Sequence, residues 1–144
     1  MRIHENVNLN YYEQIGVMVD LLNSITVNEG VSKIYLSRVL IPAVRTQNVC
    51  IINNINDEPV AFFIWGYFTQ TVHNLLLSGN DYCFDIYDLN EGDNLWILDC
   101  KCSKTFPLAI LKFVSEKFTK KRINFRIASR NYSLFDYKFH KEKL

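Results

Sequence analysis

Two runs rich in Val, Ile and aromatic residues, Val49 to Asn53 and Val60 to Tyr67, are separated only by Asn54 to Pro59, and this arrangement constrains the fold more than any other feature. Branched and aromatic side chains suit the pleated surface of a strand, and the intervening Asn, Asp and Pro suit a chain reversal. The spacing predicts a β-hairpin. Around it, apolar residues change to helical periodicity. Tyr12, Ile15, Val19 and Leu22 recur at the spacing of one helix face, with Asn8 and Asn10 as capping side chains before them. A second apolar run, Ile34 to Val44, is expected to stop being helical near Pro42, because proline lacks an N–H and constrains the residue before it.

Further along, Thr69 to Leu77 reads as a short helix stopped at Gly79, Tyr82 to Leu89 as a strand, and Asn90 to Asp93 as a turn. Leu95 to Asp99 follows as a strand. Pro107 opens a helix through Phe118, with Leu108, Leu111, Val114 and Phe118 on one stripe and the proline where its missing N–H is harmless. Ile123 to Ala128 is a further strand. Helices interleaved with strands, at least two of them antiparallel, imply an α/β or α+β fold with helices layered on a mixed sheet.

At 144 residues, 49% of them apolar and with few Gly or Pro, the chain is expected to form one domain over residues 1–144, without internal repeats or disorder. The net charge of +1 gives no broad basic surface, so nucleic acid is not expected as a partner. The local excess at Lys117 to Arg126, and at Lys138, Lys141 and Lys143, reads as solvated faces, with docking of an acidic partner as the alternative. The first residues are polar, and the apolar stretch from Val60 to Phe68 is too short to span a bilayer. These features predict a soluble, cytoplasmic protein that is not integral to a membrane. Of four cysteines, Cys50 and Cys83 lie in apolar runs, while Cys100 and Cys102 form a Cys-x-Cys without a partner pair at zinc spacing. No metal or cofactor is expected.

Several blocks then occur in order: Gly16 in the first helix, Ser24, Ile41-Pro42-Ala43-Val44, Pro59-Val60-Ala61-Phe62, Trp65, and Gly92-Asp93-x-x-Trp96-x-x-Asp99. Together, from about Tyr12 to Arg126, they resemble the toxin-activating lysine acyltransferases of the hemolysin-activating type. The resemblance implies an acetyltransferase-like fold and transfer of a fatty acyl group from acyl carrier protein to lysines of a pore-forming protoxin. It also implies catalysis by a His and an Asp. The Asp falls on Asp99, where strict alternation along the strand puts Leu95, Ile97 and Asp99 on one face and Trp96 and Leu98 on the other. The alternative is that Asp99 merely caps or pairs with a nearby backbone or basic group. Ser24, Trp65 and Trp96 are carried from the same blocks as substrate-binding candidates.

The family histidine falls on Asn28, which cannot titrate and so cannot act as a general base. The three histidines present, His4, His73 and His140, all lie elsewhere. The run after Asp99 departs from the pattern as well, reading Cys100-Lys101-Cys102-Ser103, and the segment after Arg126 is short. These departures resemble a short branch of the family that helps to join a glucosylated catecholate siderophore to the carboxyl-terminal serine of a microcin precursor, with a partner subunit. Ordinary protoxin acylation is one alternative. An inactive scaffold is the other, with Tyr132, Phe135, Tyr137 and Phe139 as interface aromatics or as a last strand packed on the core.

Overall fold

A computed structural model describes residues 2–25, 33–78, 89–102, 107–118, 122–127, 130–135 and 138–141. Helix α1 (Tyr11–Ile25) starts with a reciprocal cap. Asn10 Oδ1 accepts from the Glu13 N–H at 2.9 Å, and Glu13 Oε1 accepts from the Asn10 N–H at 3.1 Å. Two backbone donors without intrahelical partners are thereby satisfied. The buried stripe keeps Ile15 and Leu22 of the expected face and exchanges Tyr12 for Tyr11. Tyr11 and Ile15 pack against the core with Met18 and Leu22, whereas Tyr12 is 80% exposed.

Pro42 does not end the second helical run. Helix α2 (Lys33–Tyr35) passes into a π-helical stretch, Leu36–Leu40, and then into α3 (Ile41–Arg45), with right-handed helical angles at Leu40 and Ile41. The Ile41 N–H donates to the carbonyl of Leu36, a five-residue step that widens the turn ahead of the proline. A widened turn gives the pyrrolidine ring room where an ordinary one would drive it into a carbonyl.

The hairpin forms as its spacing predicts, from antiparallel β2 (Val49–Asn53) and β3 (Pro59–Phe68). Asn54 Oδ1 organises the reversal by accepting from the N–H groups of Asn56 and Glu58, and Asp57 takes a positive φ of 59°. Helix α4 (Gln70–Leu77) is capped by the Thr69 side chain, which accepts from the Val72 N–H. The expected stop at Gly79 and all but the last residue of the expected strand Tyr82 to Leu89 lie outside the described residues.

Strand β4 (Asn94–Cys102) extends beyond the predicted Leu95 to Asp99, and α5 (Pro107–Lys117) links it to β5 (Ile123–Ile127). Two further strands, β6 (Arg130–Phe135) and β7 (Lys138–Lys141), form a hairpin where one last strand was the expectation. With β1 (His4–Glu5) they complete a seven-stranded sheet in sequence order. All neighbours are antiparallel except β4 and β5, whose parallel pairing requires the α5 crossover. The result is the expected mixed sheet flanked by helices. On one face Phe63, Leu95, Ile97, Ile123 and Phe125 pack with Ile110 and Val114 of α5. On the other, Ile51, Phe62, Ile64 and Trp96 pack with α1, α3 and α4. No helix among the described residues is long and apolar enough to cross a membrane.

Gly92, in the turn before β4, donates its N–H to the Tyr67 carbonyl at 3.0 Å. A Cβ at this position would run into the backbone of Phe68 and Thr69, which cannot swing aside as a side chain can. Only glycine allows this approach. On the α5 face, Cys50 of β2 and Cys100 of β4 lie on either side of Phe63. Burial pushes the Cys100 thiol up to about 12, with Cys102 and Asp99 adding to the shift, and burial raises Cys50 as well.

Two outcomes are expected. Gly92→Ala should destabilise the fold by about 1–3 kcal/mol, read from urea midpoints, because backbone must move to admit the methyl group. Stability should also fall with alkaline pH. The Cys100 thiol ionises near 9.0 when unfolded and near 12 when folded, so its contribution is complete below about pH 9 and is lost as pH rises from there. Urea midpoints at about pH 7 and about pH 10.5 should show the drop, and Cys100→Ala should reduce it.

Candidate active site

The site begins with an irregularity in β4. Leu95 pairs with Tyr67, Trp96 with Gly66 and Ile97 with Trp65, but the next pair is Asp99 with Ile64, leaving Leu98 as an extra residue. This β-bulge overturns the strict alternation expected for the strand, because an inserted residue resets which side each later residue faces. Leu95 and Ile97 pack toward α5 as expected, and Trp96 and Leu98 pack toward the α1 face. Asp99 leaves the row of Leu95 and Ile97 and meets Tyr35, at the end of α2, on the α1 face. Cys100 returns to the α5 side.

The Tyr35 hydroxyl donates to Asp99 Oδ2 at 2.5 Å, the short distance typical of a hydroxyl on a charged carboxylate. Lys101, two residues along β4, holds its Nζ 3.6 Å from Oδ1. The Asp99 side chain is 20% exposed. Burial is the main cause that raises the Tyr35 phenol well above its usual range, and the charge and hydrogen bond of Asp99 push it further. The phenol therefore stays protonated and serves Asp99 as a fixed donor. One carboxylate oxygen is held, and the other is available for proton transfer.

The π-helical stretch bears on this geometry, because Tyr35 is the last residue before the turn widens. Sequence reading gave neither Tyr35 nor Lys101 a role in the site. The phenol lies 64 positions from Asp99, so only the fold could join them, although the lysine two residues beyond the aspartate was a visible clue.

The other candidates are spread over the molecule. Trp96 is fully buried on the Asp99 face, and its indole N–H donates to His73 Nδ1 at 2.9 Å. His73 is thus partly packed, and when neutral it carries its proton on Nε2. Trp65 lies on the α5 face beside Phe63 and Phe118, with Lys117 Nζ 5.4 Å from its ring centroid and 3.0 Å from Glu5. Ser24, exposed near the end of α1, donates to the Leu21 carbonyl. Asn28 lies outside the described residues. Among the described residues, no three His, Cys, Asp or Glu side chains are grouped to hold a metal ion.

No individually curated protein matches the chain. The HlyC model, which describes the RTX toxin acyltransferase family, matches residues 7–132 and so covers α1, the hairpin, the bulged strand with Asp99 and the α5 crossover. With the mixed sheet flanked by helices and the Gly92-Asp93-x-x-Trp96-x-x-Asp99 block in place, the chain belongs to the RTX toxin acyltransferase family, whose members mature toxins by acyl transfer.

Proposed function

We propose that the chain matures a toxin precursor in the cytoplasm of the producing cell, with Asp99 receiving a proton from the attacking hydroxyl or amine during group transfer. Tyr35 acts as a positioning residue by holding Oδ2, and Lys101 fixes the charge near Oδ1. The observation that carries this reading is the bulge that turns Asp99 onto the Tyr35 side of the sheet, where Tyr35 holds Oδ2, Lys101 lies near Oδ1 and the side chain stays partly exposed.

The precursor on this reading is a microcin-type peptide, and the group joined at its carboxyl-terminal serine is a glucosylated catecholate siderophore, with a second maturation subunit assisting. Asn28 supports this assignment, because a chain without the family histidine lacks the base that lysine acylation uses, and a partner or a different acceptor compensates. The altered run Cys100-Lys101-Cys102-Ser103 supports it as well, since it changes the strand end next to Asp99.

A second reading is favoured by the family match itself: transfer of a fatty acyl chain from acyl carrier protein to lysines of an RTX protoxin. Restoring the histidine separates the two. Asn28→His should create or enhance lysine acylation if this reading holds, and acylation absent from both forms sinks it. An inactive scaffold would instead form its complex and support maturation unchanged by Asp99→Ala.

For the leading reading, co-expression with microcin precursor and partner subunit should add the siderophore mass to the peptide in mass spectrometry. An unmodified peptide with every component present overturns it. Asp99→Asn should slow the reaction by about 10²–10⁴, the usual cost of a lost general base. Tyr35→Phe should cost about tenfold, because the carboxylate remains and only its orientation is loosened.

A further inference from the structure

A groove lies at the β1 edge of the sheet, on the α5 side and so away from Asp99, and we propose that it docks an extended polypeptide segment carrying acidic and apolar side chains. The groove, of about 470 Å³, runs between β1, the tip of the β2–β3 hairpin and α5. Ile3, Ile55, Ala109 and Phe113 form its apolar lining, and Ile55 at the hairpin tip is 68% exposed. Arg2 and Lys112 stand exposed at the rim, and among the described residues neither has an ion-pair partner. The acid lining the same groove, Glu116, is already engaged, and His4 pairs with Asp57 at 2.9 Å. Two unpaired cations beside an apolar surface suit a partner that brings carboxylates and apolar side chains together.

The backbone of β1 selects the conformation of that partner. Among the described residues β1 is the first strand of the sheet and pairs on one side only, with β2. Asn6 donates its N–H to the Ile51 carbonyl at 2.9 Å, one step on from Glu5 opposite Ile52. Hydrogen-bonded and non-bonded pairs alternate along an antiparallel ladder, so Glu5 turns its own N–H and C=O toward the open edge. A chain laid beside β1 takes up these groups, as strand addition does in peptide recognition. Its side chains then alternate as those of β1 do, where Ile3 packs on the α5 face and Glu5 reaches Lys117 of α5. An acidic helix would meet the cations but leave the edge unused. A second copy joined through the same edge would bring its own Arg2 and Lys112, adding positive charge where neutralisation is needed.

The groove is an outlying anchor, separate from the reacting centre. Strands β1 and β4 are three strand spacings apart, roughly 14 Å, and Asp99 lies on the other face. The stretch of the partner that docks and the stretch that reacts are therefore different, joined by a linker that rounds the sheet edge. On the maturation reading the polypeptide is the toxin precursor, and the inference rests on that reading only for this assignment.

The test is fluorescence anisotropy of the whole chain with three short labelled peptides: one alternating valine and glutamate, one alternating valine and lysine, and the acidic one N-methylated throughout. The acidic peptide should bind saturably with a dissociation constant of about 10–100 μM, and raised salt should weaken it. The lysine peptide should not bind. N-methylation, which removes the donors offered to β1, should weaken binding by about tenfold or more. Arg2→Glu and Lys112→Glu, at exposed positions where folding is not at risk, should each weaken binding by about tenfold. No transfer reaction is measured, so failure here is distinguishable from failure of the maturation assay. The proposal is overturned by absence of saturable acidic-peptide binding, by equal binding of the lysine or N-methylated peptide, or by either charge-reversed variant binding unchanged. A dimer in sedimentation that the acidic peptide disperses makes a second copy the occupant and overturns it as well.

Discussion

One extra residue in a strand decides which face of the sheet Asp99 reaches. In regular pairing Asp99 would share the row of Leu95 and Ile97 and face the apolar layer beneath α5, beside Ile110 and Val114. Burying a carboxylate there without partners would be prohibitive. With Leu98 bulged out, the same backbone delivers the carboxylate to the other layer, where a phenol and an ammonium receive it. The bulge and the polar partners are interdependent, since each would be a liability without the other.

Most of the framework was legible because local chemistry decided it. The hairpin could be read from two β-rich runs around Asn and Asp, and α5 from a proline followed by an apolar stripe. The two features that shape the site were not legible, for a shared reason. A bulge depends on how two strands are matched, and a π-turn depends on how a helix is packed, so neither is specified by the residues of one segment alone. Pro42 shows this well: its local meaning is to stop a helix, yet the helix continues because the turn before it widens. Asp99 was found through a family pattern, while Tyr35, distant in sequence and lacking such a pattern, was not.

Membership in the RTX toxin acyltransferase family brings a chemical tension with it. On the proposed reading Asp99 is the family's aspartate and Asn28 stands where its histidine would, so a proton-transfer duty shared by two groups elsewhere falls here on one. The short phenol–carboxylate bond fixes the orientation of Asp99. Such a centre suits a reaction in which the substrate or a partner supplies part of the activation.

The seam between β4 and β5 has a different kind of consequence. Among the described residues two registered pairs, Trp96 with Asn124 and Ile97 with Phe125, link the strands on either side of it, and the Asn124 amide adds a bond across the join. Among the described residues, the partners of Asp99, namely Tyr35, Ile64 and Lys101, lie before that seam, on α2, β3 and β4. The surroundings of Asp99 are therefore laid down before the chain crosses over through α5, and the later strands touch them only through the core that Ile123 and Phe125 share with β3 and β4.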